Sequence, residues 1–464
     1  MRDKTCADLL AKALNEIINV QNLNDAETKQ YINNNGPIPP NVPLGDGHMV
    51  CTTADGLRAI YAFGEQWRLE SPERRRIIKK KDVCSLAVGV LGEVLRKRDW
   101  VGKNPNDPAL AADFKKRLDE RLTAIQHDVV HYFPCQIFDD TSVGSFVIGP
   151  VRFSSRLEWL NEVETIGRIK PEWVGDVHNA WTNDSEIHQE ITPANTEAQI
   201  IIQEFGACPW VAAVTIKGNH VGRSKERATT AVRLAIDALA LITTPSQAAC
   251  LRGPGDALHP THSITLTQLP GRVPMMGYAG NVPGFGGPPN YARTLVTGIE
   301  SFRQAAGSAI SAITATESSG TNHPKLRERW CNALFWFGEA RRDAADFMAL
   351  VHYGMALDIL AKGGKARGIL RMVSALLSCQ PTDPVSKDGP TLEQAIKHIY
   401  NECRSQFCHG GRPALLEDLP FSREGAHWIT TAALSSYVLS LGHYTGTDDY
   451  GAFVQHLEAI KSTC

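Results

Sequence analysis

The chain has 464 residues, with 48 Lys and Arg against 50 Asp and Glu and a formal net charge of −2. At roughly 100–200 residues per domain it can hold two to four domains. Its 43% hydrophobic and 21% charged residues exclude a disordered tail protein. The near-neutral balance also excludes a surface that binds nucleic acid everywhere, because such a surface needs a strong excess of Lys and Arg. Any nucleic-acid contact must be local.

Eleven cysteines, from Cys6 to Cys464, are odd in number and scattered, with no C-x2-C pair. That spacing supports neither a secreted disulfide scaffold nor a zinc ribbon. The opening MRDKTCADLLAKALNEIINV has no continuous apolar stretch and does not read as a secretory signal. No window approaches 18 uncharged apolar residues, and even the apolar stretch 233–242 carries Asp237. A soluble cytoplasmic protein, kept in a reducing compartment and away from membranes, is the expectation.

Residues 1–32 read as one or two surface helices, followed by a proline-rich connector at 37–43. The stretch 54–126 reads as mostly helical. It contains a basic run, Arg74, Arg75, Arg76, Lys79, Lys80 and Lys81, which offers a local patch for an RNA backbone or simply a solvated face. DPALAADFKKRLDERLTAIQHDVV, 107–130, alternates apolar and charged residues at helical spacing and predicts one long amphipathic helix. Residues 131–153 and 198–217 are rich in β-branched and aromatic side chains and predict strands. Residues 222–243 predict a helix, HSITLTQL a further strand, and the Gly/Pro-rich stretch 270–290 a boundary. Downstream, helical periods recur at about 291–315, 324–346, 347–361, 366–378, 391–409, 423–441 and 449–461. The short connectors KGG and PTDPVSKDGP favour antiparallel neighbours in a bundle. The predicted class is an α+β multidomain chain. A mainly helical region spans 1–130, a small α/β region ends in the linker at 131–290, and an all-α bundle occupies 291–464.

Chemistry concentrates in AIKHIYNECRSQFCHGGRP at 395–413. Ile396, Ile399 or Tyr400, Cys403 and Phe407 fall on one helical stripe that should face the core. Asn401, Arg404 and Cys408 lie on a neighbouring face. Gly410, Gly411 and Pro413 end the helix, which leaves His409 in its last turn. Five residues on a regular helix are about 140° apart, so Arg404 and His409 can converge only because the helix stops. Unpaired carbonyls at that end favour a protonated imidazole. An imidazole can move a proton to or from an RNA 2′-hydroxyl or a leaving oxygen. A guanidinium can hold two phosphate oxygens and stabilise charge developing on phosphorus. No metal or cofactor is needed. The alternative is structural, with Arg404 capping the helix or pairing with Glu402, and His409 serving as a cap.

Arg404 and His409 form an R-x4-H motif in a helix that ends HGG, and WCNALFWFGEARRDAADFMALVHYGMALDIL supplies two long helices upstream. In these features the chain, over about 295–464, resembles the HEPN domain superfamily and especially its ApeA-like branch. The resemblance implies a metal-independent endoribonuclease with Arg404 and His409 as catalytic residues. It also implies a homodimer in which two motifs form one composite site, and a toxin-like role in bacterial antiphage defence. Ser405 and Asn401 would be supporting polar residues. Asp358 stands where the branch tends to carry an acid and could orient Arg404. Some members only bind RNA or nucleotides, so a non-catalytic binding and oligomerisation module is the alternative. Lys362, Lys365, Arg367 and Arg371 make a basic patch placed to hold RNA near Arg404. The region 1–290 would be a sensing, substrate-positioning or inhibitory module, with an unidentified activating ligand or phage component as the trigger.

Other candidates carry less. His127, His131 and Cys135 recur at four-residue spacing, which suits metal ligands on one helical face, but Pro134 should end the helix first. GNVPGFGGPPN lacks the Lys-Ser/Thr of a phosphate loop, and no G-x-S-x-G elbow occurs. Trp330, Phe335, Trp336 and Phe337 read as bundle core.

Overall fold

The computed structural model describes residues 5–36, 40–45, 47–97, 104–167, 169–182, 196–206, 208–259, 261–267, 275–288, 290–315, 322–410, 419 and 422–461. Two compact units emerge: Met1–Val129 with Ile216–Glu226, and Val130–Thr215 with Arg227–Cys464. The expected linker falls partly outside the described residues, at 270–274 and 289. Its portion Met275–Asn281 is a strand paired antiparallel with Thr261–Thr267.

The first unit is a helical assembly. Cys6–Gln21, Ala54–Leu69, Lys80–Lys97 and Pro108–Ala124 bring their apolar stripes together. Leu10, Ile60, Phe63, Trp67, Leu91 and Phe114 form the core, with the Phe63 and Phe114 rings edge to face at 5.0 Å. Capping is explicit in the sequence: Thr5 and Asp8 form a reciprocal capping box at the first of these helices. Two side chains of the basic run, Arg74 and Lys79, are engaged in this unit, while Arg75, Arg76, Lys80 and Lys81 are exposed. Arg74 donates through Nε and Nη2 to Asp119, both at 3.0 Å, and lies 4.5 Å over the Trp67 ring. Lys79 pairs with Glu226 at 3.3 Å. The Arg76 and Arg75 carbonyls accept from Arg223 at 3.2 and 3.3 Å.

Two strand and helix expectations fail for nameable reasons. The predicted 107–130 helix stops at Ala124, and His127–Cys135 is instead strand β1. There Asp128 accepts from the Gly218 backbone N–H at 3.1 Å. With Phe146–Ile148 (β2), Val151–Ser155 (β3) and Trp210–Asn219 (β4), it makes a four-stranded sheet of order β1-β4-β3-β2. The predicted strand 198–217 begins as a helix, Thr196–Gly206. Its Ala198, Ile201, Ile202 and Phe205 pack as one face against Trp159 and Trp181, and the Phe205 and Trp159 rings stack at 4.9 Å. A helical apolar face with a tryptophan partner outweighs local β propensity.

The C-terminal part is a helical bundle. We number its helices α1 (Glu300–Thr314), α2 (Pro324–Arg342), α3 (Asp346–Leu360), α4 (Lys365–Leu377), α5, α6 (Arg423–His443) and α7 (Tyr450–Lys461). Helix α5 has three parts: regular Leu392–Lys397, a π-helical His398–Ser405, and a final turn Gln406–Cys408. Trp330 and Tyr437 are fully buried and tie α2 to α6, since Trp330 Nε1 donates to the Leu434 carbonyl at 2.9 Å and Tyr437 Oη to that of Leu326 at 3.4 Å. The bundle also encloses ions. Asp237 is 0% exposed and lies 2.8 Å from Arg341 and 2.7 Å from Arg342. Gly338 makes that approach possible, because a Cβ there would sit 2.0 Å from Asp237 Oδ2. Breaking such a buried set costs about 3–5 kcal/mol, since it strands an uncompensated charge.

Candidate functional site

Helix α3 is apolar nearly all round and so is buried on most sides, with Leu350, Tyr353, Ala356, Leu357 and Leu360 in the core. Asp358 interrupts that pattern near its end. The π-helical turn of α5 packs across α3 at Gly354. A Cβ at Gly354 would come within 2.9 Å of Arg404 Cβ and 3.2 Å of the Ile399 carbonyl. Ile396, Ile399, Tyr400 and Cys403 are buried as the stripe requires, and Phe407 lies 5.8 Å from Phe347. Fitting both Ile399 and Tyr400 into the core, together with Cys403, goes with the wider π turn.

Arg404 emerges half-buried beside this contact. Its Nη2 lies 3.5 Å from Asp358 Oδ2, and its guanidinium stacks 5.2 Å from the Tyr400 ring. Arg404 Nε is buried without a hydrogen-bond partner. Glu402 is not its partner; that carboxylate lies 3.1 Å from His398 Nδ1. Asp358 has a second task. Its Oδ1 accepts from the Lys365 backbone N–H at 3.3 Å, and its carbonyl accepts from Gly363 N–H at 2.8 Å. One carboxylate therefore clamps both Arg404 and the turn joining α3 to α4.

That turn is strained. Lys362 and Lys365 both hold left-handed backbone, φ 59° and 55°, and Gly363 lies at 73°. For side-chain-bearing residues this costs roughly 1–2 kcal/mol each. Lys362, Lys365 and Arg367 are exposed, with the Lys362 ammonium 5.8 Å from the Tyr450 ring. Arg371, expected in the same patch, is spent on Glu458 through two bonds of 2.6 and 2.8 Å.

His409 is exposed and stands at the C-cap of the last turn, its backbone N–H bonded to the Ser405 carbonyl at 3.1 Å. Its ring makes no hydrogen bond or ion pair among the described residues. Ser405 is half-buried and Asn401 exposed. Gly410 takes φ 69°, which a helix-ending glycine adopts freely; Gly411 and Pro413 lie outside the described residues. The fold thus joins Arg404, Asp358, Tyr400 and the lysine turn in one neighbourhood and sets His409 five residues along at the helix end. The place of Tyr400 on the core stripe gives no sign that its ring also faces the Arg404 guanidinium four residues on.

The other candidates fall away from chemistry. His127, His131 and Cys135 stand on strand β1, where Cys135 is fully buried and burial pushes its thiol well up. Among the described residues no group of three or more His, Cys, Asp or Glu side chains is arranged to hold a metal ion. None of the described helices is long and apolar enough to cross a membrane. Trp330 and Phe337 are fully buried. Comparison with protein-family models, with curated proteins and with solved structures gives no match to this chain.

Proposed function

We propose that the chain is a metal-independent endoribonuclease of HEPN type, acting as a homodimer and serving as a toxin-like effector of bacterial antiphage defence. The observation that carries this reading is the state of Arg404. It is anchored by one carboxylate at 3.5 Å through Nη2, its side chain keeps 28% of its surface, and its Nη1 makes no hydrogen bond among the described residues. A guanidinium held in place with a donor left over is suited to a phosphate oxygen. The exposed lysine turn beside it supplies local positive charge for the flanking backbone.

In the reaction, the 2′-oxygen bonds to phosphorus while the bond from phosphorus to the 5′-oxygen breaks. The imidazole of one protomer takes the 2′-hydroxyl proton, and the protonated imidazole of the other gives a proton to the departing oxygen. The products are a 2′,3′-cyclic phosphate and a 5′-hydroxyl. Arg404 offsets the charge that grows on the non-bridging oxygens.

A second reading, a non-catalytic RNA- or nucleotide-binding oligomerisation module, draws on His409, whose ring no described residue orients as a general base requires. One experiment decides between them. Structured RNA is incubated with the full chain, with His409→Ala and with Arg404→Ala, each with and without EDTA. Cleavage that survives EDTA and falls at least about 100-fold in both variants supports the ribonuclease. Intact RNA with retained binding supports the module, and cleavage lost only to EDTA overturns both.

A further inference from the structure

A cavity of about 280 Å³ opens along the seam of α1, α2 and α6. None of the side chains around Arg404 and His409 lines it. It is small, with room for a ligand of a few heavy atoms.

Its charged group is Arg327, half-buried in the first turn of α2. Nη1 donates to the Ser308 hydroxyl on α1, which also lines the cavity. Nη2 makes no hydrogen bond among the described residues, and Nε is sealed from water without a partner. No Asp or Glu lines the cavity. Glu328, next in the chain, is exposed and outside the lining. Glu300 on α1 is outside it as well, and is held by Arg303 and by Gln304 Nε2 at 2.9 Å. Loss of hydration accordingly lowers the hold of Arg327 on its proton below the ordinary value. A partly desolvated cation with no carboxylate beside it is stabilised by an anion that enters.

The rest of the lining says which kind of anion. Val438 and Leu441 of α6 are buried aliphatic side chains, and Ala305 of α1 adds a methyl. A tetrahedral dianion such as phosphate gathers charged donors from several sides. Here a single guanidinium on α2 and a hydroxyl on α1 meet hydrocarbon from α6. The end of a guanidinium, with its paired Nη donors, matches the two oxygens of a carboxylate. We propose that this cavity binds a short-chain aliphatic carboxylate, its oxygens on the Nη edge of Arg327 and its chain against Val438 and Leu441. The site stands independently of RNA cleavage at Arg404 and His409.

Calorimetric titration of the full chain with acetate, butyrate and hexanoate tests it, with hexanamide and inorganic phosphate as controls. Hexanoate binds with a Kd below about 5 mM. Affinity rises at least tenfold from acetate to hexanoate, as burial of the added methylenes requires. Hexanamide and phosphate bind at least tenfold more weakly than hexanoate. Arg327→Gln brings hexanoate down to the level of hexanamide. Ala305→Leu, which fills the space and keeps the charge, weakens hexanoate at least tenfold. Melts run in parallel; should either variant fail to fold, hexanoate against hexanamide on the wild type decides. Absence of hexanoate binding below that limit, hexanamide or phosphate binding as tightly, an affinity flat along the chain-length series, or folded variants that bind as the wild type does each overturns the proposal.

Discussion

Burial fixes the charge state of His427. Loss of hydration, reinforced by Arg423 and Arg341, pushes its imidazole down to about 4. In the unfolded chain the same group titrates near 6.5. Between those values the unfolded chain binds the extra proton, so stability rises with pH through the window. The cost of keeping the ring neutral is absent above about pH 6.5 and grows as pH falls toward 4, where it amounts to about 3 kcal/mol. Urea midpoints of the wild type and His427→Gln, compared from pH 4 to 8, should converge toward the acid end; a constant difference across the window contradicts this. Little of it is legible in the sequence. The motif Arg404 and His409 can be read from spacing, as can an acid upstream at Asp358. The environment of His427 depends on Tyr353, which lies 74 residues away. The loss of Arg371 to Glu458, 87 residues on, is equally non-local.

Elements were more legible than contacts, because helical period is a local property. The bundle helices α2 to α4, α6 and α7 lie close to where the apolar spacing puts them, while the stretch expected as one helix at 291–315 is two, Tyr291–Gly298 and Glu300–Thr314. The π-helical turn in α5 is the exception, since eight residues are too few to distinguish its period from that of an α-helix. Its consequence is tight packing against Gly354, where an added methyl would meet Arg404 Cβ, the root of the side chain and so unable to swing aside. Gly354→Ala should therefore push α3 from α5 and cost roughly 1–3 kcal/mol, read as a lowered melting temperature. Gly442 provides the comparison: a Cβ there meets only Ala305 Cβ, at 3.6 Å, an ordinary contact. Gly442→Ala should leave the melt nearly unchanged, and equal effects of the two substitutions would dismiss the packing argument. The failures at 107–130 and 198–217 share one cause. Short apolar runs fit both periods until a distant partner, Gly218 in one case and Trp159 in the other, selects between them.

At the scale of the molecule, a net charge of −2 limits how RNA can be held. The exposed cations around the motif are Lys362, Lys365 and Arg367, together with the half-buried Arg404. Neutralising about four phosphates gives a slope of about −3 for log affinity against log salt on single-stranded RNA. Fluorescence anisotropy between 50 and 300 mM salt measures it, and a slope near −6 would mean that the exposed Arg75, Arg76, Lys80 and Lys81 also contact RNA. The division of the chain has a different consequence, one of timing. The first unit is not finished at Val129, because Ile216–Glu226 belongs to it. In that segment His220 N–H bonds to the Ile77 carbonyl at 3.2 Å and Nδ1 lies 3.1 Å from Asp82. During synthesis at about 5–20 residues per second, the 97 residues from Val129 to Glu226 take between roughly 5 and 20 s to appear. For that interval the N-terminal helices wait on the ribosome for their last piece, and the first strands of the next unit emerge before the previous one can close.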